Sequence, residues 1–343
     1  MIHEAGRNPT IQEVARLAGV SQSTVSRVIN GSPRVSATAR AAVEQVIARV
    51  EYVPNNSARN LAQRHSDTVA VVIPDPANRL FGDPFFASLL GGITAGLTDN
   101  DLQLVLLRPL SQRDDERAQA YLRGGHVEGA IFVGLVIGDT RPRRLFDRGV
   151  PVVVVGSAPD PAISNVDCDN REGARLATAH LVECGRLKIA TITGALEGVS
   201  AQERLAGYRD ALAAGGLEAD SRLEVPGDYD PELAVEAAKL ILQREPDIDG
   251  LFVASDTMAA AALRVIQDSG RRVPEDVSIV GFDDSAVARM TRPLLTTVAQ
   301  PTEAMGREAA NLLAGLIGAG GGAPRHVVFA PALVVRETSA ARL

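Results

Sequence analysis

The sequence predicts a small all-α head carrying a helix-turn-helix, followed by a much larger α/β body of two lobes on doubly wound parallel sheets. Three observations predict this. Residues 10–50 break into three short amphipathic stretches punctuated by Gly19 and Gly31. Residues 1–64 hold eight Arg against four Glu, a surplus of four positive charges, so the rest of the chain carries −11 within a net charge of −7. From residue 66 onward, short Val/Ile/Leu runs alternate with helical stretches, the texture of parallel strands covered on both faces. At 343 residues and 45% hydrophobic, the chain can bury more than one core, and with 3% aromatics those cores must be aliphatic.

In the head, Thr10-Ile11-Gln12-Glu13 forms a capping box, and Pro9 discourages an earlier helix. Ile11, Val14, Ala15 and Ala18 follow at helical spacing. Gly19-Val20 supplies a turn. Ser21 caps a second helix running to about Asn30, with Val25, Val28 and Ile29 inward. Ser36 caps a third, where Val43, Val46, Ile47 and Val50 form one stripe. The outward residues of the second helix are Gln22, Ser23, Ser26 and Arg27. Gln pairs with adenine, Arg with guanine, and Ser serves bases or phosphates, so a DNA-reading helix is expected. A plain structural triad is the alternative, which charge alone does not exclude; the polar, uncrowded outer face of the second helix favours the DNA reading.

Cys168 and Cys184 match no metal spacing and make no disulfide framework, which fits a reduced, cytoplasmic setting. Residues 1–9 have no apolar core of a secretory signal, and no apolar run is long enough for a membrane span.

The head motifs resemble the DNA-binding domain of the LacI/GalR family of repressors. The likeness runs through Thr10–Ala15, Ala18–Ser21, Thr24–Gly31, Val35-Ser36, Thr38, Arg40 and Tyr52–Asn55. It implies DNA contacts from Thr10, Ser21, Gln22, Ser23, Thr24, Ser26, Arg27, Asn30 and Ser36. Residues 54–64 read alone as a linker, too short for a helix in isolation. The resemblance implies a hinge helix that folds on DNA, with Asn55 and Ala58 beside Leu61, which wedges the minor groove. A palindromic double-stranded operator and a homodimer are implied with it.

In the body, strands are expected at Val69–Pro74, Leu102–Leu107, Ala130–Val133, Val152–Gly156, Ile189–Thr193, Gly250–Ala254 and Ser278–Phe282. Amphipathic helices are expected at Phe85–Thr98, Glu172–Cys184 and Ala259–Ser269. The change of rhythm near Pro159-Asp160-Pro161 suggests the passage between lobes. The domain reading is a head over 9–53, the hinge over 54–64 and a body over 66–340; lobe 1 takes about 66–160 and 291–322, lobe 2 about 161–290 and 323–340. The body is similar to the periplasmic-binding-protein fold used by the same family, as in Asp83–Phe86, Arg204–Tyr208, Ser255-Asp256, Val280–Asp284 and Thr296–Gln300. The family often has Gly-His-Arg-Arg-Ile where this chain has Gly185-Arg186-Leu187-Lys188-Ile189.

Carried over by residue, a sugar effector in the inter-lobe crevice would meet Arg204, Ser255, Asp283 and Gln300, with Phe81, Phe85 and Phe86 as an aromatic face. Core packing is the plainer role for at least one of these Phe residues. The stretch Leu80–Phe85 resembles cellobiose-responsive actinobacterial members, which implies a β-linked disaccharide. Neither a Gly-x-Ser-x-Gly elbow, a metal cluster nor a phosphate loop is found, so no cofactor and no enzyme activity are expected, and His126 and His180 read as packed or solvated. A transport receptor is the competing binding-protein reading, disfavoured by residues 9–62. The expected function is therefore a repressor whose operator affinity is set by a small sugar.

Overall fold

The computed structural model describes residues 9–29, 31–52, 66–74, 77–158 and 160–339. The chain divides into two compact units, Met1–Ser66 and Asp67–Leu343.

The first unit holds helices α1 (Ile11–Ala18), α2 (Gln22–Ile29) and α3 (Ala37–Val50). Its start signals work locally. The Glu13 amide donates to Thr10 Oγ1 at 3.3 Å, the Thr24 amide to Ser21 Oγ at 3.2 Å, and the Ala39 amide to Ser36 Oγ at 3.3 Å. Gly19 ends α1 at φ 67°, a left-handed conformation costly for a residue with a Cβ. Val14, Ala15, Val25, Val28, Val43, Val46 and Tyr52 pack into one core. Asn30 and the hinge residues Asn55, Ala58 and Leu61 lie outside the described residues.

The second unit contains two six-stranded sheets. One has the order β11 (His326–Phe329), β5 (Ser164–Cys168), β4 (Val152–Val155), β3 (Gly129–Val133), β1 (Thr68–Val72), β2 (Gln103–Leu107), and all its pairs are parallel. The other has the order β12 (Ala332–Val334), β10 (Thr296–Ala299), β9 (Ser278–Asp283), β8 (Gly250–Val253), β6 (Ile189–Thr193), β7 (Glu224–Pro226). In it only the β10–β12 pair is antiparallel. Both sheets are covered on both faces. In lobe 1, α5 (Pro84–Thr98) and α12 (Thr302–Gly318) cover one face, where Leu89 and Ile93 meet Val69, Val71 and Ile131. Helices α6 (Gln112–Arg123) and α7 (Arg141–Phe146) cover the other, with Leu122 and Leu145 against Val72 and Phe132. In lobe 2, α8 (Asn170–Glu183) and α9 (Val199–Ala214) face α10 (Pro231–Arg244) and α11 (Asp256–Asp268) across the sheet. The short helix α4 (Ala77–Gly82) leads into α5.

The lobe boundaries expected from sequence are corrected by the pairing. β5 and β11 belong to lobe 1 and β10 to lobe 2. The chain therefore crosses between lobes after Cys168, after Ala299 and after Phe329, not near 160, 290 and 322. The reason is chemical. β5 reads Ser164-Asn165-Val166-Asp167-Cys168, too polar to announce a buried strand. Those polar groups are used: the Arg325 amide donates to Ser164 Oγ at 3.1 Å, and His326 Nδ1 lies 2.6 Å from Asn165 Oδ1. The departure at Arg186 also has a structural role. This side chain is 1% exposed, and its guanidinium donates to the carbonyls of Pro274 and Glu275.

Candidate ligand cavity and nucleic-acid interface

A cavity of about 310 Å³ lies between the two lobes, at the C-terminal ends of the strands. That is where doubly wound sheets place ligands. Val133 ends β3, Val155 ends β4, Asp167 lies at the end of β5, Asp283 ends β9 and Gln300 follows β10; all five line it.

Arg204 is the centre of its polar wall. It sits on α9, is 6% exposed, and its Nε donates to Asn170 Oδ1 at 2.9 Å. Its Nη1 donates to the Ala254 carbonyl at 2.6 Å and lies 3.8 Å from Asp283 Oδ1. The guanidinium lies 3.6 Å from the centroid of the Phe282 ring, which covers one face by cation–π attraction. Its Nη2 has no protein partner among the described residues and is the donor left for a ligand oxygen.

Asp283 accepts from Gln300 Nε2 at 2.6 Å. Burial pushes its carboxyl well above the ordinary value, opposed by Arg204 and reinforced by the charges of Asp83 and Asp256. Its backbone is held at φ 118°, and Asp284 follows at φ 53°. Such conformations cost about 1–3 kcal/mol each and are held where the surrounding structure over-determines them. Here Arg336 bonds Asp284 from one side, and Asp256 Oδ2 accepts the Ser285 amide at 2.7 Å from the other. Burial likewise pushes the Asp167 carboxyl up to about 7, against hydrogen bonds from the Cys168 amide and Asn170.

Tyr229 completes this wall, and nothing in its sequence context signals it. It sits at φ 59° in the turn before α10, with the Arg79 guanidinium 4.4 Å from its ring centroid. Its buried hydroxyl has no hydrogen-bond partner among the described residues. Gly194 makes room for the ring, because a Cβ there would stand 2.1 Å from it. Asp167, Asn170, Arg79 and Tyr229 are thus cavity residues that sequence reasoning missed.

Phe85 and Phe86 also line the cavity, beside Arg79 and Asp83 of the same segment, with ring centroids 5.3 Å apart at 81°. Phe86 is also core, at 1% exposed. Two expected residues are not among the lining residues. Phe81 is 72% exposed and has the Arg108 guanidinium 5.4 Å from its ring. Ser255 is 1% exposed and spends its hydroxyl capping α11, accepting from the Met258 amide at 3.4 Å. Across the cavity mouth, loop Gly134–Thr140 of lobe 1 meets lobe 2 directly. The Ile137 amide donates to the Glu197 carbonyl at 2.7 Å, and Val136 bridges Gly198.

In the head, Gln22, Ser23 and Arg27 are exposed on α2 while Val25 and Val28 are buried. Ser21 Oγ lies 2.8 Å from Ser23 Oγ and 2.9 Å from Thr24 Oγ1, a hydroxyl cluster at the start of the helix. Thr10 and Ser36 are exposed helix caps, and Thr24 and Ser26 are half-buried. Among the described residues no cluster of three or more His, Cys, Asp or Glu could hold a metal, and no helix is long and apolar enough to cross a membrane.

A three-helix head with a polar, exposed second helix, carried on a two-lobed ligand-binding body, defines the class of ligand-responsive DNA-binding regulators. Residues 10–55 match the family model of bacterial regulatory proteins, lacI family, and residues 178–339 that of a periplasmic binding protein-like domain. The chain is 46% identical over 338 residues to the HTH-type transcriptional regulator CelR of Thermobifida fusca, covering 98% of this chain and 99% of that one. It is 36% identical to the regulator GalR of Escherichia coli K12, covering 96% and 95%. Among solved structures it is similar to a transcriptional regulator CelR–cellobiose complex, with TM-score 0.77, 44% identity and coverage of 97% and 100%. It is also similar to the lac repressor dimer bound to operator and the anti-inducer ONPF, with TM-score 0.87, 28% identity and coverage of 98% and 100%. The chain belongs to the LacI family of bacterial transcriptional regulators. It is a DNA-binding regulator, not an enzyme.

Proposed function

We propose that this protein is a repressor that grips a palindromic operator as a homodimer and changes its grip when a β-linked disaccharide, cellobiose, binds between the lobes. The observation that carries the sugar reading is that one cavity is lined both by the polar groups of Arg204, Asp283 and Gln300 and by the rings of Phe85 and Phe86. A sugar ring offers hydroxyls at its rim and C–H groups on its faces, and such a cavity matches both. The relative solved with cellobiose, at 44% identity, supports that choice of ligand.

On DNA, Gln22, Ser23 and Arg27 read base edges in the major groove. Thr10, Ser21, Thr24, Ser26, Asn30 and Ser36 hold phosphates and fix the register. Leu61, flanked by Asn55 and Ala58, wedges the minor groove. The head's Arg surplus supplies phosphate attraction, in a cytoplasmic protein with no membrane partner. Cellobiose acts by favouring one arrangement of the lobes, and linkage requires that operator and sugar alter each other's affinity equally.

The test is a footprint of the full-length protein on a palindromic operator with and without cellobiose. Occupancy that shifts with cellobiose supports the reading. Occupancy indifferent to cellobiose, with no thermal shift from it, overturns the sugar assignment and leaves the DNA assignment standing.

A further inference from the structure

We infer that lobe 1 carries a second ligand site, built for a compact anion with an apolar body such as an aryl phosphate. A cavity of about 360 Å³ lies between α6 and α7. It sits on the sheet face covered by α6 and α7, apart from the cavity at the strand ends: Val72 and Phe132 floor it, whereas Val133 and Val155 line the other. Leu122 and Leu145 complete the apolar floor.

The rim is basic. Arg144 and Arg148 line it, both are exposed, and neither guanidinium makes a hydrogen bond or ion pair with any described residue. The nearby carboxylates are already committed. Asp139 and Asp115 pair with Arg141, and Asp147 pairs with Arg143 at 2.7 Å. The cavity therefore presents two uncompensated guanidinium groups above an apolar floor. Guanidinium matches phosphate and carboxylate oxygens in paired hydrogen bonds, and the floor rewards a hydrophobic body.

The position gives such a ligand something to regulate. β3 sends Phe132 into this cavity and Val133 into the sugar cavity. The chain then runs through Gly134–Thr140, which borders the sugar cavity and clasps lobe 2 through Ile137 and Glu197, directly into α7 and Arg144. Occupancy of the second cavity therefore bears on a loop that lines the sugar cavity.

The test is isothermal titration of the full-length protein with phenyl phosphate at fixed ionic strength. We expect saturable binding at one site per chain, weakened about tenfold or more in the R144A/R148A double variant, as loss of charged hydrogen bonds requires. Inorganic phosphate, which has no apolar body, should bind about tenfold more weakly than phenyl phosphate. Absence of saturable binding overturns the site, as does equal affinity in the double variant or for inorganic phosphate. Both arginines lie outside the sugar cavity, so cellobiose titrations of the double variant report separately on the sugar reading.

Discussion

Replacing Arg204 with alanine removes the donor on which the polar groups of the inter-lobe cavity are organised. Two charged hydrogen bonds disappear, to Asn170 Oδ1 and to the Ala254 carbonyl, and the stack on Phe282 is lost. Charged hydrogen bonds contribute about 1.5–3 kcal/mol each. Asp283 loses the cation that favours its ionised form, which burial already disfavours. We expect about 3 kcal/mol of destabilisation, which for a body of this size lowers its melting temperature by roughly 6–12 °C. Sugar affinity should fall about a hundredfold if Nη2 and the oriented Asp283 each lose one charged hydrogen bond to the ligand. The assay pairs a melting curve with cellobiose titration of operator occupancy. A variant that melts lower but whose operator occupancy responds at the same cellobiose concentration would refute the ligand role and leave Arg204 a packing residue. Operator binding without sugar should not change.

Three further outcomes are expected. Arg27→Ala should relax base preference at one operator position by about 1–3 kcal/mol, read from affinities for a set of single-base operator variants; an unaltered preference would remove Arg27 from base reading. Gly92→Ala drives a Cβ to 2.0 Å from the Glu303 carbonyl where α5 packs on α12, so the urea midpoint of the body should drop by the equivalent of about 1–3 kcal/mol, and an unchanged midpoint would contradict that packing. Asp167, with its carboxyl at about 7 against an ordinary 3.8, takes up a proton on folding between those values. Its contribution to stability therefore falls as pH rises from 3.8 through about 7 and then levels, and Asp167→Asn should flatten that part of the melting profile. Superimposable profiles would show that another group titrates.

The residues that were legible are those whose partners are near in sequence. The caps at Thr10, Ser21 and Ser36 each bond an amide three residues on, and Gly19 turns the chain by its own backbone freedom. Val152–Val155 and Ala130–Val133 announced themselves because a parallel strand buried on both faces reads as a continuous apolar run. Where a strand carries the site, that signal is lost, as in the polar β5. Ser255 shows the converse error. Its place beside Asp256 resembles a ligand position, yet in this chain its hydroxyl is consumed by a helix cap.

By itself, the sequence determined the three-helix head, its exposed reading face and the α/β character of the body, because these follow from periodicity, capping and composition over a few neighbouring residues. The tertiary structure alone decided which strand joins which lobe, and that Tyr229, Asn170 and Asp167 share a wall with Arg204 while Phe81 and Ser255 do not. Arg204 meets partners 34 and 50 residues away, and parallel pairing joins His326 to Asn165. Contacts at that separation are set by the packing of whole layers, to which no local pattern of residues corresponds.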